Sequence, residues 1–304
     1  MTFLSHRTRI ILAFAVIYIV WGTTFLSVQV SLKSFPPFML SALRLLLAGG
    51  ALAGYCMVIG EGLPPRKELL KHAVLGIIIF VGGIVAVVWA QQFIPSSFAS
   101  AIITTPFWFV LLDRRQWKYY FNNKFILLGL IMGFAGVVLL MAFKPGRAGS
   151  DSELMQTLSV LMIVMGSFFW ASGSLYLRYN PSPVSVYTST AIQMLSAGSV
   201  ALLISAVTGE PGSFDIAVVR LDSLIALVYL GLVSSMMGFL CFMWLIKVQP
   251  PAVVSTYAYV NPLVATLLGW ALANEHISGA QLLALGLILS GVLMVNLPKY
   301  LAKI

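Results

Sequence analysis

Charge is what this chain has least of. Nine acidic and eighteen basic side chains are spread over 304 residues, and charged residues make up 9% of the whole, where a soluble domain carries about a quarter. Apolar residues make up 60%, and the mean hydropathy is +0.98. So little charge cannot solvate a globular surface, which leaves an integral membrane protein. The two cysteines, Cys56 and Cys241, sit inside apolar stretches; this excludes a disulfide framework and a metal cluster, and both read as small core residues. His6, His72 and His276 fall at or beyond the ends of apolar segments and read as solvated loop residues. There is no H-E-x-x-H, no cysteine sharing a span with a histidine, and no G-x-x-x-x-G-K-[ST]. A membrane-embedded transferase would need a nucleophile, base or metal within mutual reach, so the enzyme reading is weak and no cofactor, metal or nucleotide is expected. The basic residues never form a dense patch, so nucleic acid is not an expected partner.

Long apolar runs are what the chain does have. A hydrocarbon core of about 30 Å takes about 20 helical residues to cross, and that ruler predicts ten spans: 9–31, 36–59, 71–94, 96–113, 124–143, 155–177, 184–208, 222–247, 250–273 and 278–297. Turn formers such as Phe35-Pro36-Pro37, Gly62-Leu63-Pro64-Pro65, Ile94-Pro95, Asn180-Pro181 and Pro250-Pro251 separate them. The first span lacks a small-residue cleavage site and reads as a helix that stays. Thirteen basic residues lie on the side shared by both termini, among them Arg7, Arg66, Arg114, Arg178 and Lys299. Four (Lys33, Lys144, Arg147 and Arg220) lie on the other side. Positive charge gathers on the cytoplasmic face, so both termini are expected there.

The two halves match. An offset of 149 carries Trp21 onto Trp170, Arg44 onto Gln193 and Ala48-Gly49 onto Ala197-Gly198. An offset of 155 or 156 carries Trp89 onto Trp244, Thr105-Pro106 onto Asn261-Pro262 and Gly136-Val137 onto Gly291-Val292. The polar stretch at 146–154 is the expected joint between a first five-helix repeat, 1–145, and a second, 155–304. Five spans is an odd number, so the second repeat enters the membrane from the opposite face, the inverted design common in secondary transporters.

These residues carry a resemblance. "WGTTFLSVQVSLKSFPPFMLSALRLLLAGG" (21–50) resembles the opening of an EamA-type repeat of the drug/metabolite transporter superfamily. "NPLVATLLGWALANEHISGAQLLALGLILSGVLM" (261–294) is similar to its end, with Pro262, Glu275, Gln281, Gly286 and Gly291 in place. The resemblance covers nearly the whole chain. It implies a ten-helix carrier with a central cavity that exports or exchanges small metabolites, often amino acids.

Pro106 and Pro262 fall near the middle of their spans. Each removes an N–H and displaces the carbonyl four residues back, at Ile102 and Ala258. Broken helices at matching repeat positions mark transporter sites; packing kinks are the plainer reading. Thr105 and Asn261 precede the two prolines. Tyr257 shares a helical face with Asn261, as Thr104 does with Trp108, while Tyr259 points away from Tyr257. Trp21, Trp108 and Trp170 lie at mid-depth, where an indole N–H needs a partner, whereas Trp89 and Trp244 read as interfacial anchors. Thr24 offers a hydroxyl to a solute or to its own backbone.

Arg44 stands eight residues inside its span, close to the bilayer centre, at an insertion cost of about 2.5–3.5 kcal/mol on translocon scales. No carboxylate lies at that depth. It either bonds carbonyls freed by the broken helices or snorkels outward, or else it anchors a substrate carboxylate. The candidate solute-binding set is therefore Trp21, Thr24, Arg44, Thr105, Trp108, Trp170, Tyr257 and Asn261, with the spans numbered one, four, six and nine as walls and the second contributing Arg44. No acidic residue lies in a span core, which ranks neutral, zwitterionic or anionic amino-acid-like solutes above the alternative of multidrug or cationic-compound efflux. The expected protein is a bacterial inner-membrane exporter or exchanger working by alternating access. Its partners are its solute and the lipid bilayer, and a monomer is compatible with the sequence.

Overall fold

A computed structural model describes residues 5–103, 105–142, 153–273 and 278–297. Thr104, Lys144, Arg147, Glu275, His276, Lys299 and most of the expected joint at 146–154 lie outside the described residues. Among the described residues the chain is all helix and turn, with no strand.

The long helices are α1 (His6–Ser31), α2 (Pro37–Val58), α3 (Arg66–Ala90), α4 (Ser96–Leu112), α5 (Lys124–Ala142), α6 (Glu153–Tyr179), α7 (Val186–Val207), α8 (Leu221–Val248), α9 (Pro251–Val254 continuing as Tyr257–Ala273) and α10 (Gly279–Asn296). Seven of these segments are long and apolar enough to cross a membrane, or eight if α4 and the bent Arg114–Phe121 segment after it are one span. Lys124–Gly136 and Leu282–Val295 are apolar but shorter. Among the described residues the number of segments that meets this test is therefore below the ten read from the sequence. The expected periodicity of a surface helix is absent because lipid-facing and protein-facing sides are both apolar.

Packing follows the sequence repeat. α2 lies along α7 and α5 along α10; α1 packs on α8 and α9, while α6 packs on α3 and α4. Each contact has its counterpart with the halves exchanged, the signature of an approximate two-fold axis between the repeats. Small residues make the closest approaches. A Cβ on Gly76 would fall 2.3 Å from the Gln193 carbonyl oxygen, and one on Gly231 would fall 3.2 Å from that of Arg44. Gln193 and Arg44 are the repeat-related pair.

A second pair of matched positions closes the α2/α7 seam at both ends. Gly60 and Gly209, also 149 apart, end α2 and α7 in the left-handed conformation with φ of 76° and 78°, which glycine adopts without steric cost. Glu61 and Glu210 follow them and reach across to the start of the other helix. Glu210 accepts from the Phe38 and Met39 amides at 3.0 and 2.7 Å. Glu61 accepts from the Ser185 hydroxyl at 2.5 Å and from the Thr188 hydroxyl.

Two further features were not expected. Ile77–Val85 in α3 and Tyr229–Met237 in α8, nine residues each, are wound with the wider i→i+5 pattern of a π-helix, rare in general and frequent at functional sites. α9 breaks at Ser255–Thr256, before Pro262, which lies inside its second segment. α4 breaks at Ile102–Ile103, just before Pro106.

Candidate functional site

A cavity of about 100 Å³ lies between the repeats, and its walls come from α1, α2, α3, α4, α6, α8 and α9. On the side of the N-terminus it is closed by aromatic rings packed edge-on and tilted against one another. Trp21 meets Tyr257 at 4.6 Å and Trp170 at 5.5 Å between ring centres, Phe80 meets Phe239 at 4.7 Å, and Phe242 packs 5.4 Å from both indoles. Edge-on ring contacts of this kind add about 0.5–1.5 kcal/mol each to the burial of the rings. The glycines of the wide-wound helices make room. A Cβ on Gly238 would sit 2.5 Å from Trp21 Nε1, and one on Gly83 would sit 3.3 Å from the Trp170 ring. In the other direction the cavity runs past Phe25, Val28, Ile84 and Val88 towards Gln91 at the end of α3.

The polar wall is built on the widened turn of α8. Trp21 donates its Nε1–H to the Ser234 carbonyl at 3.1 Å. The Ser234 hydroxyl bonds Thr24 Oγ1 at 2.7 Å, and Thr24 also donates to the Val20 carbonyl in its own helix. Arg44 donates from Nε to Ser235 Oγ at 3.1 Å and from Nη2 to Ser234 Oγ at 3.3 Å. Its side chain is 2% exposed, and among the described residues no carboxylate pairs with it. The expectation that Arg44 bonds carbonyls freed by the proline breaks is corrected here: its partners are serine hydroxyls of α8. Neutral oxygens satisfy some of the guanidinium's five donors and leave its charge unneutralised.

The cavity brings together Trp21, Thr24, Arg44, Thr105, Trp170, Tyr257 and Asn261. The Tyr257 hydroxyl interacts with Thr105. Trp108 is not among the lining residues; one turn further along α4 it passes the aromatic seal and packs edge-on against Phe168 of α6 at 5.2 Å. Pro106 and Tyr259 line a different, apolar cavity of about 400 Å³ with Phe107, Leu111, Ile131 and Phe134, so the two tyrosines of α9 face different spaces. Gln91, Phe80, Ser234, Ser235 and Phe239 line the central cavity without having been singled out in the sequence. Phe80 and Phe239 were hidden among the chain's 37 Phe, Tyr and Trp residues, and only the paired serines of "LVSSMMG" stand out as a polar signal in their stretch.

On the N-terminal side, polar contacts tie the repeats together below the seal. Asp113, buried at the end of α4, accepts from Tyr120 at 2.9 Å and from Tyr179 of α6 at 2.7 Å. Within the second repeat, Arg178 donates to the Ile246 and Gln249 carbonyls, the latter at 2.7 Å. His72, expected in solvent, is 2% exposed and sits between Ser182 Oγ at 3.1 Å and the Gln193 amide at 3.3 Å. Among the described residues no three His, Cys, Asp or Glu side chains gather as a metal site.

Comparison with known proteins agrees with this architecture. A model of the EamA-like transporter family matches twice, over residues 8–142 and 157–297. The inner membrane transporter YedA of Escherichia coli strain K12 is 34% identical over 286 residues, 94% of this chain and 90% of YedA. The transporter YvbV of Bacillus subtilis strain 168 is 27% identical, with 95% of this chain and 92% of YvbV covered. A solved crystal structure that is 19% identical superposes with a TM-score of 0.74, covering 99% of this chain and all of the other, and shares its fold. The chain is a multi-pass membrane protein and belongs to the EamA-like transporter family, whose members are transporters and not enzymes.

Proposed function

We propose that this chain is a secondary carrier that moves a small carboxylate-bearing metabolite, amino-acid-like and neutral, zwitterionic or anionic overall, by alternating access. The observation that carries the reading is the buried guanidinium of Arg44, which lines a central cavity and has hydroxyls but no carboxylate beside it. A solute carboxylate supplies the missing charge through a short, charge-assisted pair. Asn261 Oδ1, buried and without a hydrogen-bond partner among the described residues, accepts from the solute's ammonium group. The aromatic walls remove water around both. A volume of about 100 Å³ suits a solute of amino-acid size better than drug-sized compounds, whose sites run to roughly 300–1,000 Å³. That argument, with the missing carboxylate, disfavours multidrug or cationic efflux.

In this reading the chain crosses the membrane ten times, as inverted repeats 1–145 and 155–304 joined through 146–154. The excess of basic residues puts both termini in the cytoplasm of a bacterial cell, in the inner membrane. The seal then faces the cytoplasm and the cavity faces outward, and rocking of one repeat against the other exposes it to the opposite side. Export is the direction proposed, so cells expressing the protein should lose the solute, and accumulation would refute it.

Counterflow in proteoliposomes preloaded with neutral, aromatic and acidic amino acids tests the substrate class. Exchange of at least one is expected, and none across the panel would reject it. Single cysteines at Thr105 and Asn261 test the mechanism. Each should react with a membrane-impermeant thiol reagent from either side, and inertness from both sides would sink alternating access.

A further inference from the structure

We infer that Gln91 is a specificity residue, which selects a solute whose side chain carries a group that both donates and accepts hydrogen bonds, such as a carboxamide or hydroxyl. This rests on the carboxylate-bearing solute proposed above and adds a second point of recognition to it.

Gln91 directly follows α3 and its backbone amide bonds the Val87 carbonyl at 3.2 Å. Its side chain is 2% exposed and lines the central cavity. Neither Nε2 nor Oε1 has a partner among the described residues. A primary amide carries two donors and a carbonyl acceptor, and burying these groups unpaired is among the costlier defects a fold can carry. Shortage of local partners is not the reason. The neighbouring Gln92 donates to the Trp89 carbonyl at 3.0 Å, and Gln29, one helix away, donates to the Ile94 carbonyl at 3.4 Å. Gln91 is the amide of the three that is turned into the cavity and left open.

The polar groups that face the cavity differ in what they demand. Arg44 offers donors and a positive charge, and suits a carboxylate. Asn261 Oδ1 demands a donor, which an ammonium group supplies. Gln91 demands both at once, so an aliphatic or aromatic side chain leaves its amide unpaired, whereas a carboxamide pairs with it reciprocally and a hydroxyl serves as donor and acceptor in turn. A site whose buried polar groups are left unpaired by the wrong solute discriminates more strongly than an apolar pocket judging size.

The test is competition in counterflow with two matched pairs of probes, glutamine against methionine and threonine against valine. The wild-type carrier should prefer the polar member of at least one pair by roughly fivefold to tenfold, as expected for about one net hydrogen bond. Gln91→Leu should bring that ratio within about twofold of unity while exchange of the apolar member persists. A second reading separates recognition from architecture: removing an unpaired buried amide should leave the thermal midpoint of the empty carrier unchanged or raised. A lowered midpoint would mean that Gln91 holds the fold, and would overturn the inference. So would a preference that survives Gln91→Leu, or wild-type exchange of amino acids with no polar preference. These outcomes leave the carboxylate reading standing, whereas no exchange of any amino acid removes both.

Discussion

Replacing Arg44 with glutamine puts into α2 the residue that the second repeat already carries at Gln193, and removes one buried positive charge. The local cost is small. Ser234 Oγ keeps its bond to Thr24 at 2.7 Å, Ser235 Oγ loses a donor that stood at 3.1 Å, and the new amide is able to replace one of the two. A net loss of about 1 kcal/mol, or a few degrees in the thermal midpoint, is expected. Binding should suffer more. A hydrogen bond to a charged group contributes about 1.5–3 kcal/mol, so apparent affinity for a carboxylate-bearing solute should fall by roughly tenfold to a hundredfold. Competition in counterflow by an exchanged amino acid and by its carboxamide derivative, in which an uncharged amide replaces the carboxylate, isolates the contribution of the carboxylate charge. Arg44→Gln should weaken the acid strongly and the amide by less than about threefold, with the size-exclusion profile unchanged. Equal weakening of both, or of neither, would refute Arg44 as a carboxylate anchor and make it a scaffold for the serines of α8.

Other perturbations separate seal, seam and pH response. Gly238→Ala should impair exchange and shift tryptophan fluorescence more than Gly83→Ala, because the added methyl meets Trp21 Nε1 at 2.5 Å in the first case and Trp170 at 3.3 Å in the second. Glu210→Ala should lower stability by about 0.5–2 kcal/mol, as loss of a helix N-cap does, measured by thermal unfolding in detergent. The Ser185 hydroxyl, then that of Thr188, hold the Glu61 carboxyl below the usual carboxylate range. Its stabilisation is therefore present above the unfolded-state value and lost as pH falls through the folded one; Glu61→Gln should flatten that acid limb of a thermal-midpoint profile.

The repeat was legible because its markers are rare in apolar sequence: two tryptophans, two Ala-Gly pairs and a polar residue at mid-span share one offset. Helix ends were legible from proline and glycine. The walls contributed by α3 and α8 were not, because a widened turn leaves no trace in a run such as "IIIFVGGIV". Trp108 was misplaced because spacing fixes a helical face but not the depth at which a cavity stops. His72 was misplaced because its burial depends on Ser182 and Gln193, more than a hundred residues away in sequence. Gln91 carries no signal in the sequence, and only the absence of a partner for its amide among the described residues, a property of the folded chain, distinguishes it.

The crossed glutamates at the two ends of the α2/α7 seam have a consequence for synthesis. When α7 leaves the ribosome, Glu61 is already made and α7 meets its cap at once. α2 has no such provision: the carboxylate that binds the Phe38 and Met39 amides belongs to Glu210, more than 170 residues downstream. The first half must therefore wait in the membrane with one helix start held only by water, and is completed by the half that follows it. A ribosome stalled before residue 210 would hold a chain in which α2 and α7 are both made but the start of α2 still lacks its cap.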